Sequence, residues 1–197
     1  MRVIVGVSGF NKSGKSTLAT YLEREKGFLY LSVRNFLNEK IIQSEKENPR
    51  NLIPDDRDSL IFMGNELRVK YSPSYIADEL IKRAKESDRD CVVESLRNPS
   101  EIEALREITN VQVGILWVER DTEQRLQGNI QAGGKETEIS TFVQKDKIEM
   151  ESNDPTKQNL LKCKEMAEYK LINNWEKERL YEQVDWVLND IRNKKNG

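Results

Sequence analysis

Short runs of β-branched and aliphatic residues recur along the chain, each followed by a longer stretch whose apolar positions fall three and four apart. The first run, residues 2–8 (Arg-Val-Ile-Val-Gly-Val-Ser), stops at Gly9. An apolar run without alternation predicts a strand covered on both faces. Residues 15–26 then carry Leu18, Ala19 and Leu22 on one helical face. A second strand is expected at 28–32 and a helix at 33–47, fading into the polar residues 45–48. Pro49 and Pro54 bracket a polar segment. Asp55 and Asp56 put negative charge at the start of the next helix, which runs to about 71. Ser72-Pro73-Ser74 is a break, and 75–87 is amphipathic. A third strand follows at 90–95, then a helix at 99–108 with Pro99 in its first turn. The most apolar strand is 111–118, and a helix at 121–131 comes after it. Residues 132–137, with Gly133-Gly134, read as a mobile segment. Helices at 138–151 and 156–167, a short strand at 168–173 and a helix at 175–192 complete the pattern. The last helix turns Leu180, Val184 and Val187 inward, and 194–197 read as a frayed end.

Strands alternating with helices predict an α/β fold: a five-stranded parallel sheet with right-handed crossovers and helices on both faces. A chain of 197 residues suits one domain with a sizeable core. No internal repeat or second boundary is visible. The polar stretches 45–58 and 132–140 read as flaps rather than linkers.

Composition narrows the chemistry. Lys and Arg number 32 against 34 Asp and Glu, a net charge of −2. That balance argues against a dedicated nucleic-acid binder, which needs a basic excess. The two cysteines, Cys91 and Cys163, do not make a disulfide framework and point to a reducing, cytoplasmic setting. No apolar run approaches the length of a membrane span. Met1 leads straight into a strand-like run, unlike a signal peptide. The chain has no histidine, which excludes histidine-dependent triads and zinc sites. Proton transfer falls to carboxylates, lysine, tyrosine or water. Of the three tryptophans, Trp117 is expected in the core, while Trp175 and Trp186 are open between core and interface, leaving room for a homodimer.

The sharpest motif lies between the first strand and the first helix: Gly9-Phe10-Asn11-Lys12-Ser13-Gly14-Lys15-Ser16, a P-loop of the form G-x-x-x-x-G-K-[ST]. Glycines let the backbone wrap a phosphate and aim consecutive N–H groups at it. The helix starting near Gly14 brings its positive end to the same anion. Residues Gly9, Asn11, Lys12, Ser13, Gly14, Lys15, Ser16 and Thr17 are therefore expected to hold the triphosphate of ATP. Lys15 reaches the β- and γ-phosphates, and Ser16 ligates Mg²⁺. Lys12 is either solvent-facing or a secondary phosphate contact.

The third strand, Cys91-Val92-Val93-Glu94, ends in an acid at the sheet edge where ligands bind in such folds. Glu94 is a candidate for orienting Mg²⁺ or its waters, or for acting as base toward an acceptor hydroxyl. Arg97 follows in Ser95-Leu96-Arg97-Asn98-Pro99. Arg34 follows the second strand, and Arg68 lies on the helix that begins near 55. A guanidinium presents a planar fork to a phosphate. These three arginines are candidates for binding an acceptor that already carries phosphate. For each alone, a surface salt bridge is the plainer reading.

On these residues the chain resembles the P-loop nucleotide-kinase superfamily, which includes nucleoside monophosphate and dephospho-CoA kinases. It is most similar to the P-loop kinase-like domain found at the N-terminus of some deoxycytidylate deaminases. The matching stretches are Tyr30 to Leu37, Asn65 to Arg68, Ser74 to Ile76, Val93 to Pro99 and Asp154 to Leu160. The resemblance implies a P-loop NTPase three-layer fold, an acceptor-side helical region at about 33–88, and a helical lid at about 120–150. It implies that Asn173 and Asn174 lie against the nucleotide base, that Arg34 and Arg97 meet the acceptor phosphate, and that Arg120 and Arg125 act in the lid as catalytic residues with Lys15 and Glu94. Asp154 is expected as an N-cap. Further lid arginines of relatives are replaced here by Gln127-Gly128-Asn129 and Ala132-Gly133, with Lys135 as a possible substitute. A lid arginine can be worth roughly 10³-fold in rate, so slow transfer is one expectation. With no histidine and two isolated cysteines, a zinc deaminase site is excluded. The implied activity is Mg·ATP-dependent phosphotransfer to a small phosphorylated acceptor, with a (deoxy)nucleoside monophosphate favoured. The alternatives are a regulatory nucleotide-binding module without transfer, a dephospho-CoA-kinase-like activity and, more weakly, a nucleic-acid 5′-kinase.

Overall fold

The computed structural model describes residues 1–194. The expectation of a frayed end at 194–197 falls largely outside them. Five strands form one sheet, β1 (Arg2–Ser8), β2 (Leu29–Ser32), β3 (Cys91–Leu96), β4 (Val111–Glu119) and β5 (Tyr169–Ile172), in the order β2-β3-β1-β4-β5. Every pairing is parallel. Nine helices lie among the described residues: α1 (Lys15–Lys26), α2 (Val33–Glu47), α3 (Arg57–Lys70), α4 (Tyr75–Lys85), α5 (Pro99–Arg106), α6 (Thr122–Gln131), α7 (Ile139–Met150), α8 (Leu160–Met166) and α9 (Lys177–Asn193).

Both faces of the sheet are covered, as its unbroken apolar strands require. On one face Leu18, Ala19 and Leu22 of α1 pack with Leu180, Val184 and Val187 of α9 against Val3, Val5, Val92 and Val118. On the other, α2, α3, α4 and α5 pack through Phe36, Ile41, Met63, Ile76, Leu80 and Ile102 against Ile4, Val93 and Ile115. Trp117 is fully buried, whereas Trp175 and Trp186 are 61% and 64% exposed. Cys91 and Cys163 are buried, unpaired thiols. No helix among the described residues is long and apolar enough to cross a membrane.

Helix ends follow local chemistry. Asp56 accepts from Ser59 N and opens α3, and Asn98 opens α5 with a capping box completed by Glu101. One boundary differs from expectation by more than two residues. The helix foreseen at 156–167 begins only at Leu160, capped by Asn159, which accepts from Lys162 N. Asp154 closes a tight turn instead, accepting from Thr156 N and Oγ1. A side chain that bonds two residues ahead competes with helix formation there.

The chain leaves β1 for β2 and β3 on one side and later reaches β4 on the other. The crevice at the carboxyl ends of β1 and β3 is thus the topological switch point, where open α/β sheets bind ligands.

Candidate functional site

The loop from Gly9 to Ser16 wraps over the carboxyl end of β1, and two glycines fix its shape. Gly9 has φ 148°, and a Cβ there would lie 2.5 Å from Val118 O. Gly14 caps α1 at φ 104°, and a Cβ would fall 2.1 Å from Asn173 Nδ2. That amide donates to Ser13 O at 2.8 Å. Asn173, expected beside a base, is thus a latch on the loop itself. Asn174 joins the start of α6: its Oδ1 accepts from Asp121 N, and its carbonyl accepts from Gln124 Nε2. Ser16 and Thr17 are exposed at the helix mouth. Lys12 holds φ 61°, an uncommon backbone state for a residue with a side chain.

Lys15 is buried, and its Nζ donates to Phe10 O at 2.7 Å. Burial, reinforced by Arg97, lowers its pKa to about 7. Burial and Arg34 likewise lower that of Lys12. Cations that depress one another in this way are crowded around a space that favours an anion.

Glu94 reaches this mouth through an irregularity in β3. The β1–β3 register shifts after Val7, so that Val7 faces Glu94 while Ser8 faces Leu96. Ser95 is the extra residue, at φ 75°. Such bulges re-aim side chains at strand ends, and strained residues collect at functional sites. Glu94 Oε1 accepts from Ser16 Oγ at 3.3 Å and from Ser95 Oγ at 2.5 Å, and Oε2 accepts from Tyr30 OH at 3.3 Å. Burial first, then the Glu94 charge, raises the Tyr30 pKa to about 12, so Tyr30 stays a donor. Ser16 and Glu94 together offer hard oxygens beside the phosphate loop, a set that fits Mg²⁺ held partly by triphosphate oxygens.

The arginines separate into different roles. Arg34 is half exposed, and among the described residues its charged partner is Asp55 at 3.5 Å. Arg97 lies behind it with 16% of its side chain exposed. It pairs with Glu149 and donates to Gln158 Oε1 at 3.3 Å. Burial, then Arg57, lowers its pKa to about 10. Arg68, expected as an acceptor ligand, is fixed in the floor of the cleft. Its Nε and Nη2 both donate to Glu101 Oε1, at 3.0 and 2.6 Å. The side chains of this pair are 1% and 0% exposed. Arg57, at the start of α3, lines the cleft and was not foreseen; an arginine beside an N-cap has no periodic signature.

The stretch Asp154 to Leu160 acquires a role here. Asn98 Nδ2 donates to the carbonyls of Pro155 and Lys157, both at 2.7 Å, and Asn159 N donates to Arg97 O at 2.9 Å. The segment braces Arg97.

In the region expected as a lid, Arg120 spends Nε on Gln124 Oε1, and its Nη groups have no partner among the described residues. Arg125 is 4% exposed. Its guanidinium lies between the Phe10 and Phe142 rings, donates to Asn11 O at 3.1 Å and pairs with Asp146 at 2.7 Å. Arg125 therefore supports the Gly9–Ser16 loop from behind. Lys135 pairs with Asp56 at 2.5 Å. A cleft of about 400 Å³ opens between the loop, the start of α3 and the segment 129–145, within the size range of small-molecule sites. Lys12, Arg34, Arg57, Lys135 and Lys145 line it, five cations against Asp55, Asp56 and Glu136.

No family model matches the chain, and no curated protein matches it in sequence. Solved structures do match in shape. A Thermus thermophilus protein is 18% identical with a TM-score of 0.62, covering 96% of this chain and 97% of its own. Shikimate kinase from Acinetobacter baumannii, solved with shikimate, is 14% identical with a TM-score of 0.58, covering 96% and 94%. A gluconokinase from Sinorhizobium meliloti is 16% identical, also with a TM-score of 0.58, covering 98% and 97%. The chain has the P-loop kinase fold.

Proposed function

We propose that the chain is a Mg·ATP-dependent phosphotransferase whose acceptor is a small molecule already carrying phosphate, a (deoxy)nucleoside monophosphate above others. The observation that carries this reading is the convergence of Lys15, Lys12, Arg34 and Arg97 on one crevice at the switch point, in a chain whose overall charge is −2. The kinase neighbours in shape support phosphotransfer in general. In this reading Gly9 to Thr17 hold the triphosphate of ATP, and Lys15 exchanges Phe10 O for phosphate oxygens. Ser16 and Glu94 hold Mg²⁺, which neutralises phosphate charge. Arg34, Arg57 and Arg97 orient the acceptor phosphate, and Arg120 meets the transferring group. The described chain works as one unit, with α2–α4 on the acceptor side and 120–150 as lid. The kinship with the deaminase-associated domain rests on the residues quoted above. The buried thiols accord with a cytoplasmic setting.

ADP release from Mg·ATP, measured across ribo- and deoxynucleoside monophosphates and dephospho-CoA, tests the reading. Acceptor-dependent release supports it; release at the ATP-only background with every acceptor sinks it. One observation favours a second reading, a nucleotide-binding module without turnover: the lid arginine Arg125 is already occupied by Asn11 and Asp146. Stabilisation by nucleotide at about 100 times its dissociation constant, roughly 2.7 kcal/mol, with no transfer to any acceptor, is the result that reading requires.

A further inference from the structure

One side of α7 carries two carboxylates, Asp146 and Glu149, three residues apart and so on the same helical face. Their side chains are 6% and 1% exposed. Glu149 Oε1 accepts from Arg57 Nε at 2.7 Å, while Oε2 faces Arg97. Asp146 Oδ1 accepts from Arg57 Nη2 at 3.0 Å, and its Oδ2 pairs with Arg125 at 2.7 Å. Two acids on the lid thus hold three arginines that come from three separate segments.

Three features distinguish this from an ordinary core network. Arg57, Arg97 and Glu149 line the same hollow as Arg34, the one exposed arginine of the group. The match is incomplete: Arg57 Nη1 is buried without a hydrogen-bond partner among the described residues. The same helix and the segment before it are tied to the start of α3 by further exposed ion pairs, Lys145 with Asp58 and Lys135 with Asp56. The lid is held down by charge over the place where an acceptor phosphate belongs.

We propose that Asp146 and Glu149 occupy the acceptor-phosphate site, and that a phosphomonoester dianion binds by replacing them on Arg57 and Arg97, releasing α7. This deepens the phosphorylated-acceptor reading above and rests on it. Two negative charges leave the guanidinium pair and close to two arrive, since a phosphomonoester carries about −1.5 to −2 at neutral pH. A neutral polyol cannot make that exchange, and a single carboxylate replaces only half of it. A phosphate group also supplies enough acceptor oxygens to engage the unpartnered Arg57 Nη1.

Inorganic phosphate is the probe, titrated calorimetrically into protein saturated with Mg·ADP so that the P-loop is filled. Wild type is compared with Glu149→Gln and Asp146→Asn. Removing one competing carboxylate should tighten phosphate binding by about tenfold. In wild type, phosphate should accelerate amide exchange within 139–150. Variants that unfold cooperatively yet bind phosphate no more tightly than wild type overturn the proposal. Should a variant fail to fold, unchanged exchange in 139–150 of wild type at saturating phosphate overturns it. Equal binding by all three proteins removes this inference and leaves the phosphorylated-acceptor reading standing. No phosphate binding by any of them removes both.

Discussion

Replacing Arg68 by methionine separates a structural arginine from a substrate-binding one. The Arg68–Glu101 pair is among the most deeply buried ion pairs in the described residues, with side-chain exposures of 1% and 0% and a closest approach of 2.6 Å. At that distance and an effective dielectric constant of about 20, the attraction is about 6 kcal/mol before desolvation is subtracted. Glu101 has more than one duty: its Oε2 also accepts from Arg97 N at 2.8 Å and Asn98 N at 3.1 Å, anchoring the start of α5. Arg68→Met fills similar space but strands a buried carboxylate, a loss of about 3–5 kcal/mol. For a chain of this size that is a melting shift of roughly 6–20 °C downward. The assay is urea unfolding followed by far-ultraviolet circular dichroism, with the midpoint and slope compared with wild type. Adding Glu101→Gln should recover part of the loss, because a neutral amide oxygen can still accept from both backbone N–H groups. An Arg68→Met protein within about 1 kcal/mol of wild type, but with a tenfold higher acceptor KM, would refute this placement and return Arg68 to the substrate.

Two other outcomes follow from the phosphate loop. Gly14→Ala places a Cβ 2.1 Å from Asn173 Nδ2 at a φ of 104°, so it should dislodge the Asn173 latch; the check is thermal scanning, where stabilisation by Mg·ATP should vanish while the fold survives. Lys15, held near 7 rather than its ordinary 10.5, binds fewer protons in the folded than in the unfolded chain between those values, so stability from this group rises as pH climbs through that window. A bound triphosphate restores the charge, so ATP binding at pH 8 should take up a proton, visible as a binding enthalpy that changes between buffers of different ionisation enthalpy. No such dependence would show that Lys15 is already protonated.

The sheet was legible because its strands announce themselves: uninterrupted apolar runs such as 2–8 and 111–118 have no stable place except between two helical layers. The tight loop from Gly9 to Ser16 was legible because its glycines and Lys15 sit at a fixed spacing between such a strand and a helix. Other features depend on contacts distant in sequence. Asp146 and Glu149 read from the chain as the polar side of a helix, yet three arginines from elsewhere bury them. Arg68 and Arg97 are indistinguishable as residue types, and only the position of Glu101 shows that one is spent within the core. Tyr30 opens one of the stretches that carry the resemblance but had no role assigned to it, and it meets Glu94 because β2 and β3 pair in register with Ser32 opposite Glu94. The early start foreseen for α8 failed because Asp154 bonds forward to Thr156.

Phosphoryl transfer, not nucleotide binding alone, defines the proposed activity. It is tested most directly in a single turnover with γ-³²P-labelled ATP, Mg²⁺, excess protein and a set of nucleoside monophosphates, with the products separated by chromatography. Label is expected in at least one nucleoside diphosphate, dependent on the matching monophosphate. Label that stays in ATP, or passes only to inorganic phosphate whichever monophosphate is present, would contradict it.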